Sequence, residues 1–136
     1  MKINLRKIIE TSIDAKTKML NVNLEAIDNA CKLMLGSVNG GNKILWCGNG
    51  GSAADSQHMS AELMGGLRSH TRDPIPSIAL STDSSFLTAW SNDTSFDDIF
   101  SRQIEGIGLP GDILVAISTS GNSTNVLNAI KTAQNK

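Results

Sequence analysis

The 136-residue chain contains no tyrosine and few other aromatic residues, two Trp and three Phe. Single-stranded nucleic acid is gripped by stacking its bases on such rings, so the shortage argues against nucleic-acid binding. Charge is also sparse, at 18% of residues, and nearly balanced at a net −1. A strong basic field that would draw in anions is therefore lacking, and any anionic ligand must be held by local donors. No apolar run approaches membrane-spanning length, which argues against a membrane partner. The N-terminus alternates polar with apolar residues around Lys2, Arg6 and Lys7 instead of building the core of an export signal. Cys31 and Cys47 form no C-x-x-C arrangement. Read as two reduced, buried thiols, they favour the cytoplasm.

What is present fits one soluble domain with a single core, since 40% of the residues are apolar. Lysine and arginine gather toward the start, seven against four acidic residues in 1–43. From Ile3 to about Leu35 the apolar positions Ile8, Ile9, Ile13, Leu20, Leu24, Ile27, Cys31, Met34 and Leu35 recur at three and four, which predicts two amphipathic helices broken near Asn21 to Asn23. Their stripe exceeds what one small sheet covers, leaving self-association and core packing as the two uses for it. Gly36, Gly40, Gly41 and Asn42 should end this helical part, placing the N-terminal helices at 1–38 and an α/β core at 43–136.

Three short apolar runs read as strands, at Lys43 to Cys47, Ser77 to Leu80 and Ile113 to Ile117. Helices are expected between and after them: from a Ser52 cap to about Met64, from the Thr82 to Ser85 capping segment through Trp90, from Phe96 to Ile107, and from Asn122 onward. Strand and helix in alternation predict a doubly wound parallel sheet with helices on both faces. Ligands of such sheets bind beyond the carboxyl ends of the strands, where the chain reverses its direction across the sheet.

Two Gly/Ser-rich turns occupy that edge: Cys47-Gly48-Asn49-Gly50-Gly51-Ser52, and Ser118-Thr119-Ser120-Gly121-Asn122-Ser123. The first lacks the lysine of a P-loop and the spacing of a dinucleotide fold, so alone it reads equally as a tight connection. The second gathers four hydroxyls where capping requires one or two, and the excess suits the oxygens of a phosphate monoester. His58 and Glu62 stand at i, i+4 on the helix that the first turn opens. They suit a shared metal ion, or acid/base work on a small substrate, as well as an ordinary surface pair. Asn92 and Asp93 fall in an expected polar loop, fit either for turn formation or for bonding sugar hydroxyls.

Taken together, C-G-N-G-G-S-A-A-D-S-Q-H-M-S-A-E-L, S-N-D-T-S-F-D-D-I-F-S-R-Q and G-D-I-L-V-A-I-S-T-S-G-N-S-T-N-V-L resemble the sugar isomerase (SIS) domain family, and within it the phosphoheptose isomerases. The resemblance implies a flavodoxin-like three-layer sandwich and conversion of sedoheptulose 7-phosphate to D-glycero-D-manno-heptose 7-phosphate through an enediolate, for bacterial lipopolysaccharide or capsule. It further implies a cytoplasmic homotetramer packed partly through the N-terminal helices, with one zinc ion per subunit. By the same resemblance Asn49, Gly50, Gly51 and Ser52 border the substrate, Asn92 and Asp93 meet the sugar, and Ser118, Thr119, Ser120 and Ser123 take the phosphate. His58 and Glu62 match two zinc ligands, and Glu62 is the expected catalytic base.

The family pattern includes a later segment whose Gln and His complete the metal site, so the chain reads as truncated, with the remaining ligands beyond residue 136. An arginine usual after the Leu-x-Gly step is absent from Leu63-Met64-Gly65-Gly66-Leu67, and Arg68 stands two positions along. The rival expectation is a non-catalytic SIS-domain protein, a sugar-phosphate sensor or an associate of the bacterial replication initiator. Retention of His58 and Glu62 favours the enzyme.

Overall fold

The computed structural model describes residues 4–136, which form two compact units divided between Leu35 and Gly36. Helix α1 (Leu5–Val22) starts where the Asn4 side chain accepts a hydrogen bond from the Lys7 N–H, satisfying one of the free donors of the first turn. After a break at Asn23, α2 (Leu24–Asn39) follows. No residue of α1 is buried, and Ile8, Ile9, Ile13, Leu20, Leu24 and Ile27 stay exposed along the predicted stripe. Cys31 is exposed as well, contrary to the expectation of a buried thiol, because nothing in this unit covers the apolar face that carries it.

The α2 helix runs beyond its expected end. Gly36 lies inside it, at a cost of about 1 kcal/mol relative to alanine, and it stops only where Gly41 takes φ +81°. The Ser37 hydroxyl donates to the Gly111 carbonyl, and Lys43 meets Asp112, so the entrance to the first strand is tied to the entrance of the last.

Three parallel strands, β1 (Ile44–Gly48), β2 (Ser77–Ala79) and β3 (Ile113–Ile117), lie in the order β2-β1-β3. Central β1 is buried throughout and pairs Ile44 with Ser77 on one side and with Ile113 on the other. Side chains alternate across it. Ile44 and Trp46 face α3 (Gly51–Gly65), where the indole N–H donates to the Ser77 hydroxyl and Ser77 in turn bonds Ser60 of the helix. Leu45 and Cys47 face the main core, built with Leu80, Ile99, Phe100, Ile104, Val126 and Ala129 from α5 (Ile99–Ile107), α6 (Thr124–Gln134) and the end of β2. The sandwich is therefore three layers deep.

Helix α4 (Ser84–Asp93) begins as predicted, with the Asp83 carboxylate accepting from the Phe86 N–H, but it extends past Trp90 to Asp93. Ser91, Asn92 and Asp93 are thus helical and not a loop. With no Gly or Pro among them, each costs only a few tenths of a kcal/mol to continue the helix, and Thr94 closes it by bonding the Trp90 carbonyl. A 3₁₀ turn, Phe96–Asp98, precedes α5 where one helix was expected. The last helix starts at Thr124, two residues later than the sequence suggests, because the serines of the preceding turn are occupied in holding that turn.

Candidate functional site

Strand order β2-β1-β3 puts the chain reversal between β1 and β3, and both Gly/Ser turns leave the sheet at that point. They enclose a cleft of about 180 Å³. Asn49 and Ser52 line it on one side, Ser118, Thr119, Ser120 and Ser123 on the other, with Ile117 between. Every lining side chain is uncharged, as the scarcity of charge implied.

Each wall has a local cause. Gly50 sits at φ +55°, a conformation that side chains avoid, and this lets the chain turn from β1 directly into α3. The helix consequently begins at Gly51, and Ser52 is inside it and not its cap as expected. Gly48 permits a second close approach, since a Cβ there would meet the Ser52 carbonyl oxygen at 2.7 Å. In the other wall, Ser118 Oγ accepts from the Gly121 N–H at 3.1 Å and Ser120 Oγ from the Asn122 N–H at 3.1 Å. With its acceptor side engaged, the Ser120 hydroxyl keeps its proton for a ligand. Ser118 and Ser123 lie 3.3 Å apart.

Neither helix that frames the cleft has a side-chain cap: Gly50 before α3 offers none, and Ser123 before α6 makes no such bond. Helices α1 and α4 are capped by Asn4 and Asp83, whereas α5, away from the cleft, is uncapped as well. Two uncapped N-termini beside a cluster of hydroxyl donors turn free N–H groups and helix dipoles toward the cleft, an arrangement that favours negative charge without a cation.

Asn49 is itself held. Its carboxamide exchanges two hydrogen bonds, of 2.8 and 2.9 Å, with that of Asn125 in the first turn of α6. Sequence reasoning passed over Asn125; the available signal was a polar residue with low helix propensity on the buried face that also carries Val126 and Ala129. Arg72 was missed too. Its guanidinium donates to the carbonyls of Glu62, Leu63 and Asp73, tying the loop after α3 to the end of that helix.

His58 Nε2 and Glu62 Oε1 lie 3.3 Å apart, with side chains 66% and 32% exposed. Ser56 and Ser60 face the sheet, and the pair, two residues further on in each case, lies about 200° around the helix from them. The wall that α3 gives the cleft ends at Ser52, so the pair does not border the cleft as expected; the axial rise from Ser52 to Glu62 is about 15 Å. Both donors are of the kind zinc takes. Two fall short of the three protein ligands of a catalytic site, and no group of three His, Cys, Asp or Glu forms among the described residues. Asn92 and Asp93, joined at 2.8 Å, are exposed at the end of α4 and are not among the residues lining the cleft. Arg68 is exposed in the turn after α3, at φ +64°. Cys47 is buried under the first turn, and burial pushes its thiol up to about 12, which keeps it protonated and inert.

No helix of the described residues is long and apolar enough to cross a membrane. A family profile for the SIS domain matches residues 9–136. The chain is 52% identical over 133 residues to the phosphoheptose isomerase of Campylobacter concisus, covering 96% of this chain and 70% of that protein. It is likewise 52% identical to the phosphoheptose isomerase of a Shewanella species, strain ANA-3, covering 98% of this chain but only 65% of the relative, so it spans about two thirds of these proteins. Among solved structures, the phosphoheptose isomerase of Neisseria gonorrhoeae superposes with a TM-score of 0.89 at 44% identity, over 96% of this chain and 67% of that one. With the profile and the relatives matching along almost its whole length, the chain belongs to the SIS domain family.

Proposed function

We propose that this protein is an aldose-ketose isomerase that converts sedoheptulose 7-phosphate to D-glycero-D-manno-heptose 7-phosphate. The observation that carries the reading is the uncharged cleft between two uncapped helix N-termini, whose hydroxyl and amide donors match the oxygens of a phosphate monoester. Similarity to proteins named phosphoheptose isomerase supports the choice of substrate.

In this mechanism Ser118, Thr119, Ser120 and Ser123, with Ser52 and the amides of Gly50 and Gly51, hold the phosphate. The Glu62 carboxylate takes a proton from C1 of the ketose, leaving an enediolate, and returns it to C2, while one proton passes between the two oxygens. His58, 3.3 Å from that carboxylate, orients it. Asn92 and Asp93 are assigned to the sugar hydroxyls. A zinc ion held by His58 and Glu62 together with further ligands would supply Lewis-acid polarisation of the carbonyl.

The reading includes a homotetramer, supported by the uncovered apolar residues of α1 and α2. It also includes a cytoplasmic role in bacterial heptose synthesis, consistent with two free cysteines. Incubation of the full-length protein with sedoheptulose 7-phosphate, with and without chelator, followed by separation of the heptose phosphates, tests the activity. Wild-type turnover that Glu62→Gln abolishes while sugar-phosphate binding persists is the expected result. Binding without turnover in the wild type would instead identify a sensor.

A further inference from the structure

We infer that Asn125 is a positioning residue for the phosphate cleft, acting through Asn49. This rests on the proposed binding of a sugar phosphate at that cleft. Asn125 is only 2% exposed and lies in the first turn of α6, yet the cleft is lined by Asn49 and not by Asn125 itself. The two carboxamides form a closed pair: Asn49 Nδ2 donates to Asn125 Oδ1 at 2.8 Å, and Asn125 Nδ2 donates to Asn49 Oδ1 at 2.9 Å.

A primary amide has two N–H donors and two acceptor lone pairs. The closed pair uses one of each on Asn49 and fixes the plane of its amide. One N–H and one lone pair remain, in directions that the pair dictates, so Asn49 offers the cleft a donor whose position is set before any ligand arrives. Without the partner, the side chain turns about χ2 among several orientations, and binding must then bear the cost of ordering it.

Burying an amide is unfavourable unless it is hydrogen-bonded, and asparagine is a poor helix former. At Asn125 the pair with Asn49 offsets the first cost and the second remains, while its neighbours on the same buried face are Val126 and Ala129. The pair also joins the first Gly/Ser turn to the start of α6, 76 residues apart in sequence, and so fixes the separation of these two elements beside the cleft. A role limited to holding α6 in place would affect stability alone.

A double-mutant cycle separates the two roles. Dissociation constants for sedoheptulose 7-phosphate are measured by calorimetry on the wild type, Asn125→Ala, Asn49→Ala and the double variant, and on the near-isosteric Asn125→Asp in case the alanine variant folds poorly. Loss of one preorganised donor predicts about tenfold weaker binding for Asn125→Ala. The double variant should bind no more weakly than Asn49→Ala alone. Asn125→Asp should bind worse still, since its carboxylate cannot donate to Asn49 Oδ1 and adds negative charge beside the phosphate. In turnover, Asn125→Ala should raise KM with kcat kept, whereas partial misfolding would lower kcat at constant KM. Unchanged affinity in Asn125→Ala, or effects of the two single changes that multiply in the double variant, would overturn the inference while the proposed function stands. A wild type that fails to bind the sugar phosphate would overturn both.

Discussion

Gly48→Ala subjects the link between fold and cleft to a steric test. The added methyl would lie 2.7 Å from the Ser52 carbonyl oxygen and 2.8 Å from its carbonyl carbon and Cβ. Ordinary contact begins near ~3.5 Å, so the overlap approaches 1 Å, and because two of the three atoms are backbone no side-chain rotation relieves it. Strand β1 has little room to yield, being central, buried and paired at Gly48 with Ile117. The start of α3 must therefore move outward. Overpacking of this kind costs about 1–3 kcal/mol. In urea titrations the midpoint should fall with the slope unchanged. Ser52 and Asn49 move with the helix start, so sugar-phosphate affinity should drop by roughly tenfold or more, about one well-placed hydrogen bond to a charged group. Gly106→Ala is the control. It lies inside α5 with open space where its Cβ would stand, and it should be neutral or stabilising by up to about 1 kcal/mol. A Gly48→Ala protein with wild-type midpoint and affinity would refute the claim that this contact sets the cleft wall.

Other consequences follow from single groups. Burial opposes ionisation of Asp112, but the Lys43 ammonium at 2.6 Å and the N–H groups of Lys43 and Leu109 outweigh it and hold its carboxyl below the usual carboxylate range. Asp112→Asn should cost about 3 kcal/mol in denaturation at pH 7. A depressed folded value means that the contribution is complete above about pH 4 and is lost as pH falls further, so the gap between wild type and variant should narrow below pH 4; a gap constant down to pH 3 would contradict the pairing. Because every residue lining the cleft is uncharged, sugar-phosphate affinity should follow the ligand's own second ionisation near pH ~6 and level off above pH 7, and a further transition above pH 7 in calorimetric titrations would point to an ionising protein group. Ile13→Asp places a charge on the uncovered stripe of α1 and should shift sedimentation toward smaller species while far-UV circular dichroism is kept; an unchanged assembly would remove this stripe from the proposed interface.

Much of the fold was legible because periodicity reports burial directly. Lys43 to Cys47 is short, apolar and bounded by turn residues, and it became the central strand within one residue at each end. The hydroxyl-rich turn was legible because its four alcohols exceed what capping requires, and the structure shows two of them holding the turn while facing the cleft. Boundaries that depend on competition between weak local terms were missed. Asn92 and Asp93 look like loop residues by type, yet a helix already started by Asp83 continues through them at little cost. Ser52 looks like a cap, but Gly50, free to take a positive φ, starts the helix earlier. Asn125 was invisible for another reason: its partner lies 76 residues away, and no local pattern shows which buried amide meets which. Likewise the i, i+4 spacing of His58 and Glu62 gave their contact but not their direction, which depends on which face α3 turns to the sheet.

Chemical-shift mapping of the backbone amides during titration with sedoheptulose 7-phosphate tests most directly whether two helix N-termini and a ring of alcohols receive the phosphate. The account predicts the largest changes at Asn49 to Ser52 and at Ser118 to Asn125, saturating together with one dissociation constant. Changes centred elsewhere, such as the groove between α3 and β2 at Gln57, Ser60 and Thr82, with the two turns unaffected, would contradict it.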